Sequence, residues 1–200
     1  MRGRKEATLQ VETILLGELE TNCYVVTADG VTAVIDPAEA SDALFALIKN
    51  RRIDLVLNTH GHFDHVGGDW VLQENGASVR IHRADLPFLD HAFPQHPAVD
   101  GYLEEGDEIL PGLRVLHVPG HSPGSVAFLG KGVLFTGDLL FAESIGRTDL
   151  RGGSPEAIQA SLRRIVALPG DYRVYPGHGP RTTLERERTT NGYLLELRDE

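Results

Sequence analysis

The stretch His60-Gly61-His62-Phe63-Asp64-His65 puts four side chains of metal-ligating type within six residues, directly behind the wholly apolar run 55–57. An apolar run this short reads as a buried strand, so the chain passes straight from a core into a polar, histidine-rich turn. In extended backbone, residues i and i+2 face the same way, so His60 and His62 can hold one metal together. Asp64 and His65 follow as the chain turns and can face a second centre nearby. Gly61, Gly67 and Gly68 permit tight backbone around them. A single histidine on a polar loop is ordinary, but chance is a poor account of four such residues at this spacing.

The rest of the chain reads as alternating strands and helices. Strands are expected at 8–16, 23–27 and 31–35, the last two joined by the Asp29-Gly30 turn. Ser41 is placed to cap a helix reaching about Lys49, with Leu44, Leu47 and Ile48 as its apolar stripe. A helix is expected to begin near Val66, a strand covers 79–81, and 91–101, with Pro94 and Pro97, reads as a loop. Strands follow at 113–118, 125–129 and 133–136. Ser154-Pro155-Glu156 is a strong helix start, and Ile158, Leu162, Ile165 and Val166 give that helix one buried face until Pro169-Gly170 ends it. A last strand at 173–175 and a final helix at 182–190 complete the pattern. Segment 25–36 runs strand, glycine turn, strand, aspartate, and 127–138 repeats that order. The echo fits two similar halves with facing sheets and outer helices, or a chance match between two hairpins.

With 200 residues, 24% charged and 41% hydrophobic, the chain is expected to form one globular domain over 1–200. Nineteen basic against 29 acidic residues, a net charge of −10, argue against nucleic acid or an anionic membrane as a partner. No apolar run approaches the roughly 18 residues of a membrane helix, and 1–10 lacks the apolar stretch of a secretory leader. Cys23 is the one cysteine, which rules out an internal disulfide and points to a cytoplasmic location.

Three further candidates each follow a strand in a glycine-rich turn: His121 in Pro119-Gly120-His121-Ser122, Asp138 in Thr136-Gly137-Asp138, and His178 in Pro176-Gly177-His178-Gly179. Together they supply a third ligand for each of two metals and a carboxylate to bridge them. Nitrogen and carboxylate ligands without a thiolate suit zinc best, with iron or manganese also compatible. Two such ions about 3.5–4 Å apart can hold a bridging hydroxide and polarise a carbonyl or phosphoryl oxygen.

The pattern His-x-His-x-Asp-His at 60–65, with the distant His121, Asp138 and His178, resembles the metallo-β-lactamase superfamily. Within it the chain looks like the hydroxyacylglutathione hydrolases (glyoxalase II), in particular a short single-domain group. The matching stretches are Thr21-Asn22-Cys23-Tyr24, Ile35-Asp36-Pro37, 59–68, 119–124, Gly137-Asp138-Leu139-Leu140-Phe141 and 175–180. The resemblance implies an α/β fold, a four-layer αββα sandwich with the metals at one edge. It implies that His60, His62 and His121 hold one metal, that Asp64, His65 and His178 hold the other, and that Asp138 bridges. It gives Asp36 the task of orienting a ligand histidine through a hydrogen bond. The longer glyoxalase II enzymes add a helical C-terminal domain that helps bind glutathione. Only 21 residues follow Gly179, so that domain is not expected. Where those enzymes carry a lysine with a tyrosine nearby, this chain has Arg147 and no tyrosine beside it. Arg147 is the candidate for binding an anionic part of the substrate, with a structural loop arginine as the alternative.

The expected reaction is hydrolysis of a small anionic thioester such as a hydroxyacylglutathione, with Asp64 and Asp138 as the catalytic carboxylates. Two divalent ions, these two aspartates and a hydroxide leave net positive charge for the oxyanion formed on attack. A thiolate, with a thiol pKa of about 8.5, leaves without much help. The motif set contains no spare acid for a poorer leaving group. Rival readings are a persulfide dioxygenase with one iron on His60, His121 and Asp138, a lactone or other ester hydrolase, and a non-enzymatic binder retaining the fold. The expected assembly is a monomer or small homo-oligomer. Cys23 and His117 are expected to pack, and His82, His91 and His96 to lie on the surface or in loops.

Overall fold

The computed structural model describes residues 9–199, so Thr8, expected to open the first strand, and most of segment 1–10 lie outside the described residues. The first six strands are β1 (Gln10–Leu16), β2 (Thr21–Ala28), β3 (Val31–Ile35), β4 (Leu55–Leu57), β5 (Ser78–Ile81) and β6 (Gly101–Tyr102), and they form one sheet in sequence order. Next come β7 (Glu108–Leu110), β8 (Leu113–His117), β9 (Val126–Gly130) and β10 (Val133–Gly137), the small hairpin β11 (Leu140–Phe141) and β12 (Ser144–Ile145), then β13 (Arg173–Pro176) and β14 (Thr182–Thr183). The second large sheet has the order β14-β13-β10-β9-β8-β7.

Period-two alternation explains the layering. Tyr24 and Val26 of β2, Ala33 and Ile35 of β3, and Leu55 and Leu57 of β4 meet Val115, Phe128, Phe135 and Tyr175 of the other sheet in a central core. The residues between them face outward. Cys23, Val25, Val34 and Val56 pack under Leu44 of helix α1 (Asp42–Ile48) and, past α2 (Phe63–Val66), Leu72 of α3 (Asp69–Glu74). Beyond α4 (Leu86–Ala92), helices α5 (Pro155–Val166), α6 (Leu184–Thr190) and α7 (Gly192–Asp199) cover the second sheet, where Ala127, Leu134 and Val174 pack against Ile158, Leu162, Leu184 and Leu194. The result is helix, sheet, sheet, helix. Ser41 and Ser154 cap α1 and α5 by accepting the amides of Leu44 and Ala157.

Register gathers the strand ends. β3 and β4 are parallel with Ile35 opposite Leu57, so Asp36 and the 58–62 segment leave the sheet at the same edge. β10 and β13 are parallel with Gly137 opposite Pro176, so Asp138 and His178 emerge together. The sheets are tied at this edge by the Tyr24 hydroxyl donating to the Pro176 carbonyl at 2.6 Å and the Val126 amide donating to the Thr59 carbonyl at 2.8 Å.

Several local expectations need correction. The helix placed near Val66 begins at Phe63, stops at Gly67-Gly68, and restarts at Asp69. The Gly67 backbone lies against Ala38, where a Cβ would fall 2.3 Å from the Ala38 carbonyl oxygen. The loop expected from about His91 starts at Phe93, which closes α4 by donating its amide to the Leu89 carbonyl and stands before Pro94, a position where helical backbone is disfavoured. Thr182 and Thr183 form a strand before α6, with the Thr183 hydroxyl capping that helix. Among the described residues, no helix is long and apolar enough to cross a membrane.

Candidate metal centre

The structure brings all of His60, His62, Asp64, His65, His121, Asp138 and His178 to this one edge. Their ligand-type atoms form three overlapping groups: His60, His62 and His121; His60, His65 and Asp138; and Asp64, His65 and His178. His62 Nδ1 is 2.9 Å from His121 Nε2, and His65 Nε2 is 3.3 Å from His178 Nε2. Asp64 Oδ2 lies 3.3 Å from His178 Nε2 and 3.6 Å from His65 Nε2. Asp138 reaches both sides, with Oδ1 3.5 Å from His65 Nε2 and Oδ2 3.5 Å from His121 Nε2 and 3.7 Å from His178 Nε2.

Hydrogen bonds behind the rings decide which nitrogens face inward. His65 Nδ1 donates to Asp36 Oδ2 at 2.9 Å, His121 Nδ1 to the Arg147 carbonyl at 2.8 Å, and His178 Nδ1 to the Leu19 carbonyl at 3.1 Å. Thr59 gives its one hydroxyl proton to Asp36 Oδ2, so at 3.1 Å its oxygen accepts from His60 Nδ1. Each of these four imidazoles has its Nδ1 proton engaged and turns Nε2 toward the same small volume. His60 Nε2 and Asp138 Oδ1 are buried there without a hydrogen-bond partner. Lone pairs facing one another at 3.3 Å repel unless a proton or a metal ion lies between them. Zinc–nitrogen bonds of about 2.0–2.1 Å in a tetrahedron put neighbouring ligand atoms about 3.3–3.4 Å apart. The donor set and its spacing therefore fit divalent metal ions.

The two sides differ electrostatically. Burial and then the neighbouring imidazoles His65 and His121 hold His60 well below its ordinary range. Burial and His121 likewise take His62 down to about 4. Burial also works against a charge on His65, but the Asp138 and Asp36 carboxylates outweigh it and raise the ring to about 9. His178 is raised against its burial by its hydrogen bond to Asp64 and by the Asp138 charge. Burial opposes ionisation of Asp64, yet the His178 hydrogen bond and His65 bring it down to about 2.

A model of the metallo-β-lactamase superfamily matches residues 16–178. This chain belongs to the metallo-β-lactamase superfamily. Its relatives include hydroxyacylglutathione hydrolase GloC of Haemophilus influenzae, 33% identical over 93% of this chain and 98% of that one. A longer hydroxyacylglutathione hydrolase from Aeromonas hydrophila is 40% identical over 72% of this chain, and the match spans 56% of that relative's length. Among solved structures, TTHA1623 in a di-iron-bound form superposes with a TM-score of 0.87 at 42% identity, over 92% of this chain and all of that one. The chain is thus an enzyme of a metallo-hydrolase superfamily whose members bind divalent metals.

Within this metallo-β-lactamase fold, sequence reasoning missed Asp85. It is fully buried, and Oδ2 accepts the Gly61 amide at 2.9 Å and the Ser122 hydroxyl at 2.6 Å, while Oδ1 accepts the Gly124 amide at 2.6 Å. One carboxylate thus fastens the His60–His62 segment to the turn carrying His121. Burial raises its pKa, and those three hydrogen bonds oppose the rise. Its partners stand 24 to 39 residues away, so nothing local marks it. Arg147 contributes its carbonyl to His121. Arg147 lines the cavity, and its guanidinium holds Asp149 through two 2.7 Å hydrogen bonds. His117 donates to the Pro123 carbonyl and stacks on His82 at 4.2 Å, and Cys23 is buried in the outer core with its thiol pushed up by burial.

Proposed function

We propose that the protein is a binuclear metal-dependent hydrolase of thioesters, hydroxyacylglutathione-like compounds among them. His60, His62 and His121 would hold one ion and Asp64, His65 and His178 the other, with the Asp138 carboxylate within reach of both groups. The observation that carries the two-ion reading is the convergence of ring nitrogens, Nε2 of His60, His65, His121 and His178 and Nδ1 of His62, in two groups joined by one carboxylate. When bound, divalent ions supply Lewis acidity for a carbonyl oxygen and lower the pKa of attacking water. Zinc suits these donors, and the TTHA1623 structure, described as di-iron-bound, makes iron the other candidate.

The protein's own groups do the rest. Asp36 and the Arg147 and Leu19 carbonyls hold the ring orientations. Asp64, ionised across the neutral range, accepts a hydrogen bond from the attacking water rather than donating a proton. Besides the ligands, the cavity is lined by Leu19, Phe63, Phe141, Ile145, Arg147 and Leu150. None of these is an acid near neutrality, so the leaving group departs without a proton. That favours a thiolate over an alkoxide. The relatives named hydroxyacylglutathione hydrolase support the same class.

Elemental analysis of the purified protein, paired with assays on S-lactoylglutathione and simpler thioesters, tests this. Two ions per chain are expected, with turnover abolished by chelation and restored by zinc, iron or manganese. One ion per chain, with oxygen uptake on a persulfide and no thioester cleavage, would overturn it in favour of a dioxygenase.

A further inference from the structure

Away from its metal-ligating floor, the cavity is walled mainly by carbon. Leu19, Phe63 and Leu150 keep 53%, 60% and 40% of their surface exposed, and all of them line this cavity of about 530 Å³. They arrive from the β1–β2 turn, the start of α2 and the loop ahead of α5, and Phe141 and Ile145 of the β11–β12 hairpin complete the wall. Isolated exposed hydrophobic residues are unremarkable, but apolar side chains gathered from separate segments around one reactive centre mark a binding surface. Among the described residues lining this cavity, Arg147 is the one Lys or Arg, and its guanidinium is engaged by Asp149. A carrier bearing several charges would lose water against leucine and phenylalanine and find little to replace it.

We propose that the site selects thioesters with an apolar arm, an alkyl or aryl group seated on Phe63, Leu19 and Leu150, over those built from hydrophilic groups alone. This rests on the thioester reading above. The metal-loaded enzyme would be given N-acetylcysteamine thioesters of acetate, butyrate, hexanoate and phenylacetate, with S-lactoylglutathione alongside. Full burial of a methylene corresponds to about fourfold. In an open cavity about twofold per methylene is expected, so kcat/KM for hexanoyl, four methylenes longer, should exceed acetyl by roughly fifteenfold. Leu150→Ser and, separately, Phe63→Ser should compress that ratio to about twofold or less. As a readout independent of turnover, calorimetry should show the hexyl thioether of N-acetylcysteamine binding more tightly than the ethyl one, with a negative heat-capacity change. A flat acyl series, or a preference for lactoylglutathione, overturns the inference and leaves thioester hydrolysis standing. Should no thioester turn over with both ions bound, the hydrolase reading fails, and the calorimetry alone decides the apolar subsite: equal affinity of the two thioethers overturns it.

Discussion

In the first half of the molecule, β2 and β3 form a hairpin, the chain turns at Asp36, and α1 leads to the parallel strand β4. In the second half, β9 and β10 form a hairpin, the chain turns at Gly137-Asp138, and α5 leads to the parallel strand β13. The echo between 25–36 and 127–138 is thus a repeat of topology. Yet the aspartates end in different situations. Asp36 is 1% exposed, with Oδ1 accepting the Thr59 amide and Oδ2 accepting the Thr59 hydroxyl and His65 Nδ1. Asp138 Oδ1 is buried with no hydrogen-bond donor. The left-handed turn position is taken by Asp36 itself, at φ 51°, in one half and by Gly137, at φ 49°, in the other. Placing the aspartate one residue later re-aims its side chain, from the protein interior to the cavity. A carboxylate satisfied by protein donors holds the site's geometry, whereas one left unsatisfied is available to ions.

The sharpest way to break this comparison is to delete each carboxylate. Asp138→Ala should lower kcat/KM by about 10³-fold or more, roughly 4 kcal/mol, and deplete bound metal, while the metal-free protein loses the pairing with His65 and His178 but less stability than Asp36→Ala loses. Asp36→Ala should cost the metal-free protein about 2–4 kcal/mol by stranding the buried Thr59 amide and its hydroxyl. It should also weaken metal binding about 10–100-fold. Denaturant melts and metal titrations on both variants check this. If the two lose stability alike, the division into a holding and a coordinating aspartate is wrong.

A smaller effect separates the two ligand clusters by pH. His62, at about 4, needs no deprotonation to bind metal at neutrality, whereas His65, at about 9, must release a proton. Affinity for the ion on Asp64, His65 and His178 should therefore rise by about tenfold per pH unit from 6.5 to 8.5, and affinity for the other should stay nearly flat. The folded value of His65 lies above its ordinary 6.5, so its proton stabilises the metal-free protein fully below that pH. The contribution is lost as pH rises through about 9. Metal-free protein that melts higher at pH 9 than at pH 6 would contradict the assignment.

The smallest expected effect is at the mouth. Arg147 and Asp149 are 61% and 68% exposed, so Arg147→Ala should raise KM for an anionic thioester only about three- to tenfold, with kcat unchanged. A neutral thioester serves as control, and equal losses on both would make Arg147 a structural residue.

The candidate ligand residues were legible in the sequence because they cluster at 60–65 or follow a strand in a glycine-rich turn, and such spacing is a local property. The layered core was legible only through the echo of 25–36 in 127–138 and the family resemblance, because β2, β3, β4, β9 and β10 are apolar on both faces and show no polar alternation to read. The two-residue strands β6, β11, β12 and β14 were not, because so short a segment carries no period. Nor was α7, or the true start of α2. What the sequence by itself determined is the chemistry: which side chains can bind metal and roughly where the chain turns. Tertiary structure alone decided the partnerships, among them Asp85 with Gly61, Ser122 and Gly124, His178 with the Leu19 carbonyl, His121 with the Arg147 carbonyl, and the apolar wall around the cavity. Those contacts join residues 24 to 159 positions apart, and a hydrogen bond or a packed wall depends on where atoms meet in space, which local sequence does not encode.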